Sequence, residues 1–143
     1  IEESRKYKNW ILTGATLFGA FFMLLGFLST LLIPFVFSNL TVSAQNTARG
    51  LVIVAAAYLP LWAYLNGQYA ISRTGGDTMM GVICDTIGKV LFLGGMFVLT
   101  FCTRLGPVAM YAIVNLSDIP KSLAAHFWLK KERWLVNLTV QNK

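Results

Sequence analysis

Four long apolar runs separated by short polar stretches set the pattern of this chain. No charged residue interrupts residues 9–48, and the apolar part of that stretch, 10–37, is longer than the run of roughly 20 residues that lets a helix cross a ~30 Å hydrocarbon core. The polar segment SNLTVSAQNTAR follows it, and a second run covers 51 to about 71 with Pro60 at its middle. SRTGGDT ends that run, 79–102 forms a third, and after the short TRLGP segment 108 to about 128 forms a fourth. The pattern predicts an all-α membrane protein of four transmembrane helices joined by short connections.

The punctuation between the runs supports this division. In SRTGGDT, Gly75 or Gly76 can take the left-handed conformation that ends one helix, and Asp77 or Thr78 can accept backbone N–H bonds that open the next. Pro34 and Pro60 each remove a backbone donor and are expected to kink their helices. Gly14, Gly19 and Gly26 in the first run, and Gly94 with Gly95 in the third, permit close helix approach. The first run is too long for the apolar core of a signal peptide, and no small-residue cleavage pattern follows it.

Composition strengthens the membrane assignment. Of 143 residues, 56% are hydrophobic and only 13% charged, whereas soluble domains carry about a quarter charged residues. The net charge of +6 would suit nucleic acid only if the cations gathered on one soluble face, and here they flank the apolar runs. With both ends inside, Arg5, Lys6, Lys8, Arg73, Lys130, Lys131, Arg133 and Lys143 lie on the cytoplasmic side and only Arg49 and Arg104 outside. Such a bias predicts a multi-pass protein of the inner (plasma) membrane with both ends of this segment cytoplasmic and membrane lipids as partners. Trp10, Trp128 and Trp134 suit an aromatic belt at headgroup level.

No catalytic, cofactor or metal motif accompanies this frame, and an enzyme is not expected. Cys84 and Cys102 sit on one predicted helix, roughly 27 Å apart, and read as apolar fillers beyond disulfide reach. The single histidine, His126, has no ligand spacing around it and is placed at the cytoplasmic interface. Of the sequons at Asn39, Asn115 and Asn137, the second falls inside the membrane and the third inside the cell.

Four ionisable residues within the runs carry the chemical interest: Asp85, Lys89, Asp118 and Lys121. Lys89 falls about 15 Å along its helix, near the bilayer midplane, where an ionised lysine costs at least ~2.5 to 3.5 kcal/mol. Asp85, four residues toward the N-terminus, shares its face in the favourable order, so Lys89 is expected to bend back and pair with it. Asp118 and Lys121 repeat the arrangement at i, i+3 around Pro120, and the four charges can also neutralise one another across the interface of the third and fourth runs. They either line a polar pathway for ions or substrate, or clamp two helices together with Lys121 snorkelling to the headgroups. Tyr64, Asn66, Gln68 and Tyr69, near the cytoplasmic end of the second run, read as a hydrated vestibule or interface rather than a selective site.

The order of these features, with the turn RTGGDT at 73–78 and the closing pattern of Asp118, Lys121 and KKERW at 130–134, resembles the C-terminal part of multidrug and toxic compound extrusion (MATE) transporters. The resemblance extends over nearly the whole chain. It implies four helices of a six-helix transporter lobe, and a cation-coupled (proton or sodium) antiporter that exports small organic, often cationic, compounds. It also implies that the chain is a fragment whose partners include the remaining helices of a full-length transporter. The acid at Asp85 fits the resemblance and the base at Lys89 does not. A flippase for lipid-linked precursors and a four-span membrane adaptor without transport are the alternative expectations.

Overall fold

A computed structural model of the chain describes residues 2–134; Asn137 and Lys143 lie outside them. Among the described residues all regular structure is helical. Helix α1 (Glu2–Ser29) runs through a single 3-10 turn (Thr30–Leu32) into α2 (Ile33–Val36), and α3 (Val42–Thr74), α4 (Met79–Cys102), α5 (Pro107–Asn115) and α6 (Asp118–Lys130) follow. Three of these segments, Glu2–Val36, Val42–Thr74 and Met79–Cys102, are long and apolar enough to cross a membrane. Their large hydrophobic side chains point outward: Leu17, Phe18, Phe35, Leu93 and Phe101 are all exposed. A surface this apolar is compatible with embedding in lipid.

The expectation of four spans is met by three continuous ones, because the fourth run divides at residues 116–117. Pro120 explains the break. It has no N–H to give to the Leu116 carbonyl, which instead accepts from the Ile119 N–H at 3.1 Å in a tighter turn. The result is a 9-residue helix started by Gly106-Pro107 and a separate 13-residue helix. Pro34 acts on the first segment in the same way. It cannot serve the Thr30 carbonyl, which accepts from the Ile33 N–H, so the helix tightens to 3-10 geometry there. Pro60, in contrast, lies inside the uninterrupted α3.

The polar stretch after the first run is not a loop. Only residues 37–41 are non-helical, and Val42 to Arg49 already belong to α3, which reaches 33 residues and about 50 Å at ~1.5 Å per residue. The Thr41 hydroxyl caps the helix by accepting from the Ala44 N–H at 3.3 Å. The Gln45 amide donates to the carbonyls of Phe37 and Leu40, so the polar residues serve the turn rather than solvent alone.

Helix α1 lies against α3 along small residues. A Cβ on Gly19 would stand 2.7 Å from Ala63 Cβ and 2.8 Å from Pro60 Cα, and one on Gly26 would stand 2.7 Å from Ala56 Cβ. Gly14, Gly94 and Gly95 have no such close neighbour, so two of the five glycines expected at contacts are needed there.

At the opposite end of α3 the 73–78 turn closes as a Schellman motif. The Asp77 N–H donates to the Ser72 carbonyl and the Gly76 N–H to the Arg73 carbonyl, with Gly76 at φ +86°. Gly76 is therefore the left-handed residue. Asp77 does not cap α4; its carboxylate accepts from the Trp128 indole at 2.7 Å, and Thr78 makes no side-chain cap either. Trp134 is buried against Gly75 and donates to the Leu129 carbonyl at 3.1 Å. Of the three tryptophans expected in a belt, Trp10 stands 80% exposed, whereas Trp128 and Trp134 are used to tie the end of α6 to this turn.

Candidate functional site

The polar interior lies where α3, α4 and α6 meet, and Lys121 is at its centre. Its ammonium stands 3.4 Å from Asp85 Oδ1 on α4 and 3.4 Å from Asp118 Oδ1, one turn back on α6. The side chain is 16% exposed. An ammonium removed this far from solvent needs anionic partners, and two carboxylates supply them. Its aliphatic stem crosses α4 at Gly88, where an added Cβ would stand 2.6 Å from Lys121 Cδ. The absence of a side chain at Gly88 is what admits the lysine.

The two carboxylates are held differently. Asp118 has both oxygens engaged, Oδ1 by Lys121 and Oδ2 by the Trp62 indole at 2.7 Å, and its side chain is 17% exposed. Asp85 receives both of its partners on one oxygen: the Tyr69 hydroxyl at 3.1 Å and Lys121 converge on Oδ1. Among the described residues Oδ2 has no partner, and the side chain is 40% exposed. With all three groups ionised, the cluster of two acids and one base carries one net negative charge.

The structure thus brings together three of the four residues singled out in the sequence. Lys89 is the exception. It lies on the exposed side of α4, and the expected pair with Asp85 gives way to the cross-helix contact with Lys121. The reason is the packing of α6 on α4: Lys121 lies inside the interface and reaches Asp85 across Gly88, while Lys89 points to the exposed side of α4. Nor does Lys121 snorkel outward. The i, i+3 pairing of Asp118 with Lys121 forms as the spacing predicts.

The reading of α3 needs revision as well. Gln68 and Tyr69 are buried rather than vestibular, with Gln68 at 0% exposure and Tyr69 at 7%. The Gln68 amide donates to the Ser122 carbonyl at 3.4 Å, while Gln68 Oε1 and Ser117 Oγ find no partner among the described residues. Tyr64 and His126 share a hydrogen bond of 3.0 Å nearer the surface. Tyr58, Trp62 and Gly88 are part of this environment and were not singled out. Tyr58 donates to the Ala112 carbonyl at 2.9 Å and stacks on Trp62 with ring centroids 6.1 Å apart. Their signal is the spacing of Tyr58, Trp62, Leu65 and Tyr69, which places three polar-tipped aromatics on one face of a helix.

No family model, curated protein or solved structure matches the chain. What the cluster can do follows from its own geometry. It can hold one added positive charge at an open carboxylate oxygen, and it can redistribute a lysine between two acids on different helices.

Proposed function

We propose that this chain is a membrane-embedded part of a cation-coupled antiporter that exports small organic, often cationic, compounds in exchange for protons or sodium ions, as its resemblance to the MATE family implies. In this reading α5 and α6 together make a fourth, interrupted span, the four spans belong to a six-helix lobe of the inner membrane, and both ends of the segment face the cytoplasm. Broken helices at membrane depth suit such a role, since irregular backbone is tolerated there where protein or a cavity covers it.

The observation that carries the proposal is the inequality of the two acids around Lys121. Ionisable groups within membrane helices characteristically mark ion or substrate paths. Asp85, with Oδ2 open and 40% exposure, is the group a coupling cation can reach, and Asp118, closed on both oxygens, is the one that holds Lys121 in place. Neutralising Asp85 removes the net negative charge and weakens the hold of α4 on α6. That is a mechanical consequence of binding a cation, which coupling requires.

The test is efflux of a fluorescent organic cation from proteoliposomes containing the full-length protein that carries this chain, over a range of pH and with or without sodium. Asp85→Asn is expected to slow efflux by about tenfold or more, equivalent to ~1.4 kcal/mol in the barrier, and to flatten its dependence on the coupling ion. Asp118→Asn is expected to act less on that dependence. Unchanged efflux in both variants would reduce the cluster to a helix clamp and favour an adaptor without transport.

A further inference from the structure

Asp85 has two lysines within reach and the structure uses one. Lys121 approaches from α6, while Lys89 follows Asp85 on α4 at i+4, the spacing and order at which an acid and a base pair on a helix face. Lys121 has a second acid of its own in Asp118. We propose that Asp85 exchanges between Lys121 and Lys89, and that this exchange makes and breaks the ionic bridge between α4 and α6.

The charge count allows it. In the bridged arrangement, Lys121 serves both acids and Lys89 stands on the exposed side of α4. In the exchanged arrangement Asp85 pairs with Lys89 and Lys121 keeps Asp118, so each helix neutralises its own charges and no ion is left unpaired. Both arrangements hold the same four charges, and the exchange moves none across the membrane. What changes is the linkage: one has an ionic tie from α4 to α6 and the other has none. The groups facing Asp85 are Tyr69 from α3 and Lys121 from α6, with Cys84 and Lys89 beside it on α4. Tyr69 can keep donating to Asp85 in either arrangement.

Two structural features fit a switch at this place. Asp85 Oδ2 is open, so Lys89 can engage it before Lys121 lets go of Oδ1, and the exchange passes through no bare carboxylate. Helix α6 is separated from α5 by the break at 116–117, so it can turn on release without carrying the whole segment. Gly88 sets the balance, because the Lys121 stem reaches Asp85 only across a position with no side chain.

The role of this exchange in transport rests on Asp85 being the coupling carboxylate, but its existence does not, and the two are tested separately. Full-length protein in lipid bilayers, labelled with 15N-lysine and 13C-aspartate, reports Asp–Lys contacts directly by solid-state NMR. The unmodified protein is expected to correlate Asp85 Cγ with Lys121 Nζ. In Lys121→Met, and in Gly88→Val, which leaves every charge in place, Asp85 is expected to correlate with Lys89 instead, and adding Lys89→Met should abolish that signal. Retention of the Lys121 correlation in Gly88→Val, or no Lys89 correlation in Lys121→Met, would overturn the exchange. Should Lys121→Met fail to fold, Gly88→Val decides alone. An exchange seen in the spectra with efflux indifferent to all these variants would leave the switch standing and overturn the transport reading.

Discussion

Two helix seams in this molecule are built on opposite principles. The α1–α3 seam uses Gly19, Gly26, Ala56, Ala63 and the backbone at Pro60, and it has room for almost nothing. The seam of α4 and α6 uses a largely enclosed lysine, two acids and ring donors from α3. Lipid is as apolar as any side chain, so helices in it associate through close backbone approach or through polar contacts. The first kind of seam is rigid because backbone meets backbone. The second contains partners that can be exchanged, because a lysine stem has rotamers and a glycine contact has none. The difference makes α1–α3 the fixed frame against which the proposed exchange between α4 and α6 would work.

The largest effect is expected from breaking the frame. Gly19→Val would drive a branched side chain into Pro60 Cα and the Leu59 carbonyl oxygen, 2.8 and 2.9 Å from even a bare Cβ, and neither can step aside. Because the clashing atoms are backbone, a loss of about 3 kcal/mol or more, the upper end for overpacking, is expected. Thermal unfolding of the purified protein in detergent measures it, with Gly14→Val as the control, since nothing lies within 4 Å of a Cβ there. Equal melting temperatures for the two variants would show that the tight seam is not what holds these helices.

The next effect separates the two acids. Asp118→Ala strands the Trp62 indole and takes one of two anions from Lys121, for a loss of ~1–3 kcal/mol. Asp85→Ala removes a half-open group and leaves Lys121 with Asp118, so the loss of stability should be smaller even though the loss of efflux should be larger. The opposite ranking in unfolding and in transport is the signature of a clamp beside a working carboxylate; the same ranking in both assays would make the two acids equivalent.

Much of this was legible in the residues, and the failures share a cause. The helices, the Gly76 turn, the Pro34 tightening and the Asp118–Lys121 pair follow from local chemistry, which the sequence displays directly. Asp85 was drawn toward Lys89 for the same reason: local spacing is visible and tertiary distance is not. That Lys121 reaches it across 36 positions depends on Gly88 facing α6, which no periodicity announces. The polar start of α3 was missed because Thr41 and Gln45 look like loop residues until their hydrogen bonds, to the Ala44 N–H and to the carbonyls of Phe37 and Leu40, are seen. The fourth run read as one helix because its hydropathy ignores Pro120, whose effect falls four residues upstream at Leu116. Tyr58 and Trp62 are apolar over most of their surface and polar only at their tips, so an apolar run does not single them out.

The smallest effect belongs to the one ion pair that, among the described residues, lies outside both seams. Arg5 donates to Glu132 at 2.7 Å, joining the start of α1 to the residue just beyond α6, with both side chains well exposed. The hydrogen bond from Arg5 holds the Glu132 carboxyl below its usual range. A carboxyl lowered on folding adds stability above its unfolded pKa and loses it as pH falls through the folded value, so any contribution should fade only under acid conditions. Exposed pairs contribute little, and Glu132 also occupies φ +55°, a left-handed conformation that costs a non-glycine residue. Glu132→Gly therefore removes a weak attraction and a backbone strain together. Its melting temperature should stay close to that of the parent near neutral pH, while Glu132→Gln, which weakens the ion pair and keeps the strain, should melt slightly lower. A large fall for the glycine variant would mean that this exposed pair, rather than the half-buried Asp77–Trp128 contact nearby, fastens the end of α6.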